Sequence, residues 1–578
     1  MKKIFCILLI FTAVSFIACE DDILDKYPMD TVTDSEFWKT DNDLNLYLTG
    51  LYGILPQWPQ GSSDLGSFDL GTDIIVESAA SLSPTYTPQF DGTLNVPPSG
   101  GGWNWGDVRR VNYFLGNLDK VDKTNDLVAQ YIGEGYFFRA FAYFKLFTKF
   151  GGLPIIDKVL GLGDDDYLYA ARASRTQTAD FIIADLDKAL SMLKDKSGVA
   201  AGRINKDIAS LFKARVCLYI GTWDKYHAGT VFAGATDGRA YIQAAADAAK
   251  SVIDKGNYMI STAGGTDNAY FKLFSSSSVD IRSNKEVMLY KHYNQNGYGV
   301  GNTVGMQDTR QGMTHQMTEY YLCSDGLPRS VSPLVNPNVK LGLLQIEKNR
   351  DQRFDQTIIT RGEVELVDLK GNVVLYNIPD LNVVSTAYEL KKWKTDWYDP
   401  ITNARSSDLP YITFRFAEAL LIYAEAKAEL GEFTQVVADM TVNKLRARVG
   451  MPNMVVPIPF TDTEWINYGT PISPELQEIR RERVVELFAE GFRFDDLMRW
   501  RAHKIFLDMG RPTGAYITPE DGIATKWTPV VNAEGYLDLF KNRLNTGAYG
   551  FKVGRDYLSP LPNDQLKLNE NLVQNPGW

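Results

Sequence analysis

Acidic residues that could perform acid/base chemistry recur at regular spacing near residue 486. Glu482, Glu486 and Glu490 follow one another at four-residue steps, a spacing that places side chains on one face of a helix. Such a row could serve general acid/base catalysis. The same stretch also carries four arginines, Arg480, Arg481, Arg483 and Arg493. Because opposite charges three or four residues apart pair on a helix surface, we predict ion pairs here rather than a catalytic site.

Other motifs for catalysis or metal binding are missing from the sequence. The four histidines are scattered, and there is no HExxH, CxxC or GxSxG pattern. "GGWNWG" and "GLGDDD" hold glycines but lack the Lys-Ser/Thr ending of a phosphate loop. The run Asp164 to Asp166 could bind calcium, but it lacks regular oxygen spacing, so we expect a solvated turn. The sequence therefore predicts no enzyme, no cofactor and no metal site.

A loop rich in glycine and proline carries two tryptophans to the start of a predicted helix. The loop "PPSGGGWNW" ends in Trp103, Asn104 and Trp105. A flat aromatic face beside an amide is typical of sugar recognition. The rings could instead anchor the helix, which the spacing of Trp105 to Val108 and Val111 favours for that ring. For Trp103 both interpretations stay open, and Trp103 and Asn104 are candidate ligand-binding residues.

A second loop-rich stretch, residues 290–310, mixes tyrosines with amides and an arginine. These side chains suit hydrogen bonding to a carbohydrate or a peptide. Tyr298 and Arg310 are candidate ligand-binding residues from composition alone, as is Tyr86. An ordinary surface loop with a partly buried tyrosine is the alternative at each position.

The N-terminus has the pattern of an export signal. Lys2 and Lys3 precede an apolar run over residues 4–18, which is shorter than the roughly 20 residues that span a bilayer. Small Ala18 before Cys19 permits cleavage at that point, after which the thiol of Cys19 can carry lipid. We predict a signal peptide over residues 1–18 and lipidation of Cys19. The alternative is a cleavage site with an incidental cysteine.

Composition narrows the range of partners. The chain has 578 residues, a net charge of −11 and no basic block, which argues against nucleic acid as a ligand. Two cysteines beyond Cys19, Cys217 and Cys323, form no disulfide framework. Eleven Trp, thirty Tyr and twenty-nine Phe are more rings than packing usually needs, and amphipathic rings also suit ligand recognition.

Two predicted helical blocks flank a middle that contains strands. In the first block, Ala140, Tyr143, Phe144 and Phe147 share one helix face, and Gly151 ends that helix. Ser174 is a predicted N-cap. In the middle, "GN" at residues 371–372 between apolar residues predicts a hairpin. The second block runs from residue 411 to about residue 504, and paired helices of this kind stack into a curved scaffold.

An ordered series of motifs along nearly the whole chain resembles the SusD/RagB family of outer-membrane lipoproteins. It comprises "LDKYPMDTVTDSEFW", "FRAFAYFKLFTKFGGLP", "AGRINKDIASLFKARVCLYIG", "FRFAEALLIYAEAKAELG", "RERVVELFAEGFRFDDLMRW" and the terminal "YLSPLPNDQLKLNENLVQNPGW". The resemblance implies a mainly α fold, a right-handed superhelix of tetratricopeptide-like helix pairs with an irregular, loop-rich, minor-β ligand-binding portion. It also implies one SusD-like domain over residues 19–578, with an N-terminal part at about 19–225 and a C-terminal part at about 270–578.

The resemblance further implies a function. Family members cap a SusC-like TonB-dependent transporter in the outer membrane and deliver nutrient to it, usually an oligosaccharide and sometimes a peptide. Glu20, Asp21 and Asp22 resemble the signal that moves such lipoproteins to the cell exterior. Trp103 and Asn104 match the place of an aromatic and amide pair in sugar-binding members. The alternatives are a peptide-binding, RagB-like lid and, more remotely, a surface glycoside hydrolase.

Overall fold

A computed structural model describes the chain in thirteen ranges: 37–58, 69–77, 88–121, 126–293, 311–367, 373–377, 379–394, 408–466, 468–508, 510–523, 525, 528–540 and 549–578. The predicted signal peptide and Cys19 lie outside the described residues. So do three of the candidate ligand residues, Tyr86, Tyr298 and Arg310.

The first part of the chain is helical. Its helices are α1 (Asp41–Leu51), α2 (Pro88–Asp91), α3 (Gly106–Gly116), α4 (Asp126–Phe150), α5 (Asp165–Leu168), α6 (Arg175–Met192), α7 (Lys206–Tyr226), α8 (Arg239–Asp254) and α9 (Ala269–Ser275). Short 3-10 turns occupy Tyr52–Ile54, Leu118–Lys120, Lys196–Gly198 and Asp280–Ser283. Within the described ranges, no helix combines the length and apolar character needed to cross a membrane.

The rest of the chain adds shorter helices and a few strands. The helices are α10 (His315–Thr318), α11 (Leu343–Ile346), α12 (Phe416–Glu429), α13 (Gln435–Met440), α14 (Val442–Arg448), α15 (Pro474–Glu486), α16 (Arg493–Arg499), α17 (His503–Asp508) and α18 (Asn563–Leu568), with a 3-10 turn at Pro519–Asp521. The strands are β1 (Ile75–Glu77), β2 (Val287–Lys291), β3 (Gln311–Met313), β4 (Val364–Val367), β5 (Val373–Leu375) and β6 (Tyr411–Arg415).

The strands form three antiparallel pairs, β1 with β3, β2 with β6 and β4 with β5. In the first pair Val76 lies opposite Gly312, and in the second Tyr290 lies opposite Ile412. The pair β4–β5 is the hairpin that the "GN" pattern predicts, although residues 371–372 themselves lie outside the described ranges. The architecture is therefore mainly α with minor β, as predicted.

Local sequence explains where the principal helices begin and end. The Ser174 hydroxyl accepts a hydrogen bond from the Gln177 backbone N–H at 3.1 Å, and the Gln177 side chain accepts one from the Ser174 N–H at 2.9 Å. This reciprocal capping box stabilises the start of α6. Helix α4 ends at Phe150, and Gly151 adopts a φ of 77°, which suits glycine. Both boundaries confirm the sequence prediction.

In the first block, α4 packs against α6, and α7 packs against α8. A glycine permits the second contact, because a Cβ on Gly221 would lie 2.6 Å from Cγ1 of Ile242. Helix α8 also contacts α12, which in turn contacts α15. The two helical blocks are thus joined by direct helix packing.

Phenylalanines fill the interior of the first block. We call this group the aromatic core: Phe137, Phe138, Phe141, Phe144 and Phe212. Phe212 lies 5.3 Å from Phe137 and 5.0 Å from Phe141 between ring centroids, within the range of favourable ring packing. The rings repeat at the three- and four-residue steps of α4, so the periodicity of the sequence already places them on the inner face.

Buried arginines and carboxylates fill the interior of the second block. We call this group the charge network: Glu286, Arg353, Arg415, Arg448, Glu482 and Glu486. Glu486 accepts hydrogen bonds from Arg415 at 2.7 Å, Arg353 at 3.1 Å and Arg448. Burial opposes ionisation of Glu486, but the three guanidinium groups hold its pKa well below the ordinary value.

The structure corrects the partners predicted for these glutamates. Ion pairs do form, but Glu482 pairs with Arg353 and Arg446, and Glu486 pairs with Arg353 and Arg415, all of them outside helix α15. Arg480 instead reaches Glu429 at 3.0 Å, and Arg483 reaches Asp496 at 2.7 Å. Helix α15 ends at Glu486, so Glu490 does not belong to the predicted row.

Candidate functional site

The loop that carries Trp103 and Asn104 is held in a defined conformation. We call residues 97–105 the tryptophan loop. Three consecutive glycines, Gly100, Gly101 and Gly102, have φ values of 71°, 57° and 84°, a region that few other residues adopt. The turn closes with the Trp103 N–H donating to the Gly100 carbonyl at 2.9 Å. The loop thus presents its tryptophans from a fixed turn.

The C-terminal segment secures the other end of the tryptophan loop. The carbonyls of Pro97 and Pro98 accept hydrogen bonds from the backbone N–H groups of Asn563 and Asp564, at 2.9 Å and 3.0 Å. These two residues begin helix α18. The loop is therefore braced by a part of the chain more than 400 residues away in sequence.

Trp103 lies half-buried, with one edge supported by other rings. Its ring centroid lies 5.4 Å from that of Trp105 and 5.0 Å from that of Phe150, both edge to face. Trp105 in turn meets Tyr143 at 5.8 Å. Trp105 also lies half-buried, whereas Val108 and Val111 are fully buried. The packing supplies a rigid support for Trp103 and leaves part of its surface open.

Asn104 and Lys149 add polar groups beside this ring. The Asn104 Oδ1 accepts a hydrogen bond from the Gly106 N–H at 2.8 Å, at the start of α3. The Asn104 side chain is exposed, and its NH₂ group, with two hydrogens to donate, has no partner among the described residues. The Lys149 ammonium occupies the space that a Cβ on Gly102 would need and lies 5.6 Å from the Phe150 ring centroid. Partial desolvation lowers the pKa of Lys149.

This arrangement can bind a flat polyhydroxylated ligand. An aromatic surface contacts the apolar face of a sugar ring, and amide and ammonium groups donate hydrogen bonds to hydroxyls. The described residues of the site include no pair of free carboxylates.

The structure brings together some of the residues predicted from sequence and adds others. Trp103 is half-buried and its sequence neighbour Asn104 is exposed, and their role in ligand binding stays a prediction. Tyr86, Tyr298 and Arg310 are not placed, because they lie outside the described ranges. Lys149 and the bracing residues Asn563 and Asp564 were not predicted as neighbours of Trp103. The "KFGG" ending of α4 predicts where the helix ends, but it does not predict that Lys149 lies near Trp103.

Residues considered for catalysis or metal binding have structural roles where they are described. Glu482 and Glu486 are engaged by arginines, which leaves neither carboxylate free to exchange a proton. Asp165 and Asp166 are exposed on the short helix α5, and Asp164 pairs with Lys158. Across the part of the chain that the structure describes, no group of three or more His, Cys, Asp or Glu side chains could hold a metal ion.

Two family models match the chain. The model described as the SusD family matches residues 273–578, and one described as "Starch-binding associating with outer membrane" matches residues 103–218. The second match begins at Trp103. Among curated proteins, SusD-like protein P38 of Formosa agariphila is 24% identical over 527 residues, covering 86% of this chain and 91% of that protein.

Solved structures share the fold. A SusD-like carbohydrate binding protein from Bacteroides fragilis aligns with a TM-score of 0.68 at 22% identity, covering 93% of this chain and all of that one. A laminarin binding SusD-like protein aligns with a TM-score of 0.57 at 20% identity, covering 94% of this chain and all of that one. The helical scaffold, its ordered motifs and a family match over more than half of its length together establish that the chain belongs to the SusD family.

Proposed function

We propose that this protein is a surface-exposed, lipid-anchored glycan-binding protein that delivers oligosaccharide to a SusC-like TonB-dependent transporter of the outer membrane. It acts without catalysis. Trp103, Asn104, Tyr298, Arg310 and Tyr86 bind the ligand, and Cys19 carries the lipid. Residues 1–18 are the signal peptide, and about 19–225 and about 270–578 are the two parts of one SusD-like domain.

The observation that carries this proposal is the half-buried Trp103 on a braced loop beside the unengaged amide of Asn104. A support that is already rigid reduces the entropy lost on binding. The starch-binding family model begins at this residue. Relatives of the same fold include proteins described as binding carbohydrate or laminarin.

The contacts suit moderate affinity. Covering roughly 50 Å² of the Trp103 face would contribute about 1 kcal/mol, and each hydrogen bond from Asn104 or Lys149 about 1 kcal/mol net. Several such contacts amount to about 4 to 8 kcal/mol, or millimolar to micromolar binding. A ligand held at this strength dissociates readily, as delivery to a transporter requires.

Calorimetry of the soluble chain from Glu20 onward against a polysaccharide panel tests the binding site. We expect at least one glycan to bind, and Trp103→Ala to weaken that binding about tenfold, since an aromatic contact of this kind is worth roughly 1 to 2 kcal/mol. Trp465→Ala is the matched control, because Trp465 is another half-buried tryptophan, lying 5.2 Å from the Arg481 guanidinium in the second block.

Four outcomes would contradict the proposal. Failure of every glycan to bind would remove the glycan function, and full binding by Trp103→Ala would remove the tryptophan loop as its site. Salt-sensitive binding of basic peptides without any glycan would favour the peptide-binding alternative. Release of shortened sugars by the purified protein would show a hydrolase.

Cell experiments test the anchor and the partner. Cys19→Ser should abolish incorporation of a labelled fatty acid, and protease added to intact cells should degrade the wild-type chain. The protein should copurify with a TonB-dependent transporter from detergent-solubilised outer membranes. An unlipidated wild-type chain, or one protected from protease, would contradict the proposed location.

A further inference from the structure

A cleft away from the tryptophan loop lies where the two helical blocks meet. We call it the junction cleft. It lies between α4, α7, β6 and residues 487–495, and has a volume of about 300 Å³. This volume is at the lower end of small-ligand pockets, which span roughly 300 to 1,000 Å³. Five aromatic side chains form much of its wall: Phe141, Phe144, Phe212, Tyr411 and Phe492.

Nearly every charge that faces the junction cleft is paired. Arg215 donates to both oxygens of Glu418, at 2.6 Å and 2.7 Å. Glu490 accepts from Arg415 at 2.7 Å, and Lys145 at the rim reaches Asp107 at 3.1 Å. In each of these pairs the two opposite charges compensate each other, so none of these side chains needs a charged ligand.

Asp495 is the exception. Its carboxylate lines the junction cleft and receives no hydrogen bond or ion pair from any residue that the structure describes. The neighbouring Asp496, by contrast, is bound by Arg483 at 2.7 Å and Arg499 at 2.8 Å. Burial, with the nearby Asp496 charge, raises the pKa of Asp495 to about 7. Arg499 and Arg215 lie near enough to lower this pKa and offset part of the burial, but neither donates a hydrogen bond to the Asp495 carboxylate among the contacts of the described residues.

We propose that the junction cleft binds a small organic cation, an ammonium or guanidinium group on a short apolar stem, with Asp495 as its counter-ion. The aromatic walls accept the apolar stem, and ring faces also attract cations. Phe492 already lies against two guanidinium groups, those of Arg215 at 5.1 Å and Arg483 at 5.3 Å from its ring centroid. The proposal does not depend on glycan binding at the tryptophan loop.

A titration with a charged probe and its neutral isostere tests the proposal. Butylammonium and 1-butanol share a stem and differ in the terminal charge. We expect the wild-type protein to bind butylammonium at least tenfold more tightly than butanol, measured by calorimetry. Asp495→Asn should remove this preference, whereas Asp166→Asn, which removes the same charge at an exposed position on α5, should retain it.

A second probe distinguishes the sources of such a cation. Lysine capped at both ends by amides tests whether a basic side chain of another protein can enter, whereas butylammonium tests a free amine. Binding of butylammonium alone assigns the cleft to free amines, and binding of both assigns it to basic side chains as well.

Equal binding of butanol and butylammonium by the wild-type protein would overturn the proposal, and this comparison needs no variant. Unchanged butylammonium affinity in Asp495→Asn would overturn it as well. Because Asp495 makes no hydrogen bond to a described residue, we expect Asp495→Asn to fold, and circular dichroism checks this.

Discussion

The aromatic core of the first block and the charge network of the second are held together by different chemistry. The aromatic core consists of rings on α4 and α7 whose centroids lie 5.0 to 6.2 Å apart. The charge network consists of buried arginines and carboxylates. Ring packing depends mainly on shape and buried area. A buried ion pair also requires each charge to be compensated, since an isolated one is costly. The comparison teaches that conservative changes should be tolerated in the first block and costly in the second.

The largest expected effect is from Glu486→Gln, which removes one charge shared by Arg353, Arg415 and Arg448. The three guanidinium groups lose their common partner, so we expect the free energy of unfolding to fall by about 3 to 5 kcal/mol. Urea unfolding followed by circular dichroism measures it. Glu570→Gln, at an exposed position in the same half of the chain, is the control, and a loss below 1 kcal/mol in Glu486→Gln would break the comparison.

As the pH falls, protonation should destabilise the first block at a higher pH than it destabilises the buried ion pairs of the second block. Burial lowers the pKa of His227 to about 3, where the ring stacks on Trp223 at 4.1 Å. Below its unfolded pKa of about 6.5, the unfolded state binds a proton that the folded state excludes. Stability from His227 is therefore lost as pH falls from about 6.5 toward about 3, at up to about 1.4 kcal/mol per pH unit.

Other buried ion pairs of the second block, such as that of Glu425 with Arg499, lose stability only at lower pH. Burial opposes ionisation of Glu425, but Arg499 overrides it and lowers the pKa to about 2, so this contribution is present above the unfolded pKa of about 4.3 and falls below it. Urea unfolding of the wild type and of His227→Gln, measured from pH 7 to pH 5, separates the contribution of His227 from that of the buried carboxylates. We expect a shallower pH dependence in the variant, and an identical slope would contradict the assignment to His227.

Phe137→Leu tests tolerance in the aromatic core. Phe137 is fully buried and lies near Phe138 and Phe212. Leucine retains much of its volume and apolar surface, so we expect a loss of about 1 to 2 kcal/mol, smaller than that of Glu486→Gln. The same urea measurement decides it. An equal or larger loss than in Glu486→Gln would mean that ring packing is as exacting as charge pairing.

The smallest effect should come from an ion pair at the surface. Lys250 reaches Asp254 at 2.6 Å along α8, and both side chains are solvent-exposed. Water already compensates such charges, so Lys250→Gln should cost about 0.5 kcal/mol or less. Loss of more than 1 kcal/mol in urea unfolding would show that pairing, rather than burial, makes the charge network sensitive.

The candidate site was partly predictable from sequence. Glycines and prolines before Trp103 indicate a loop, and the spacing after Trp105 indicates a helix, so an aromatic and amide pair at a helix start could be predicted. That Lys149 lies beside Gly102, and that Asn563 brackets the loop at Pro97, could not. These contacts join segments whose separation in sequence leaves no periodic trace.

The sequence by itself determined the helix faces of α4, the capping box at Ser174, the end of α4 before Gly151 and the β4–β5 hairpin. These features depend on residues a few positions apart. Only the tertiary structure decided that Glu486 pairs with Arg353, 133 residues away. It also decided that Asp495 faces a cleft with no hydrogen-bond partner among the described residues, while Asp496 pairs with two arginines. The position of a charged residue in the sequence does not indicate which opposite charge it will pair with. The partner is decided by the folding that brings distant segments together.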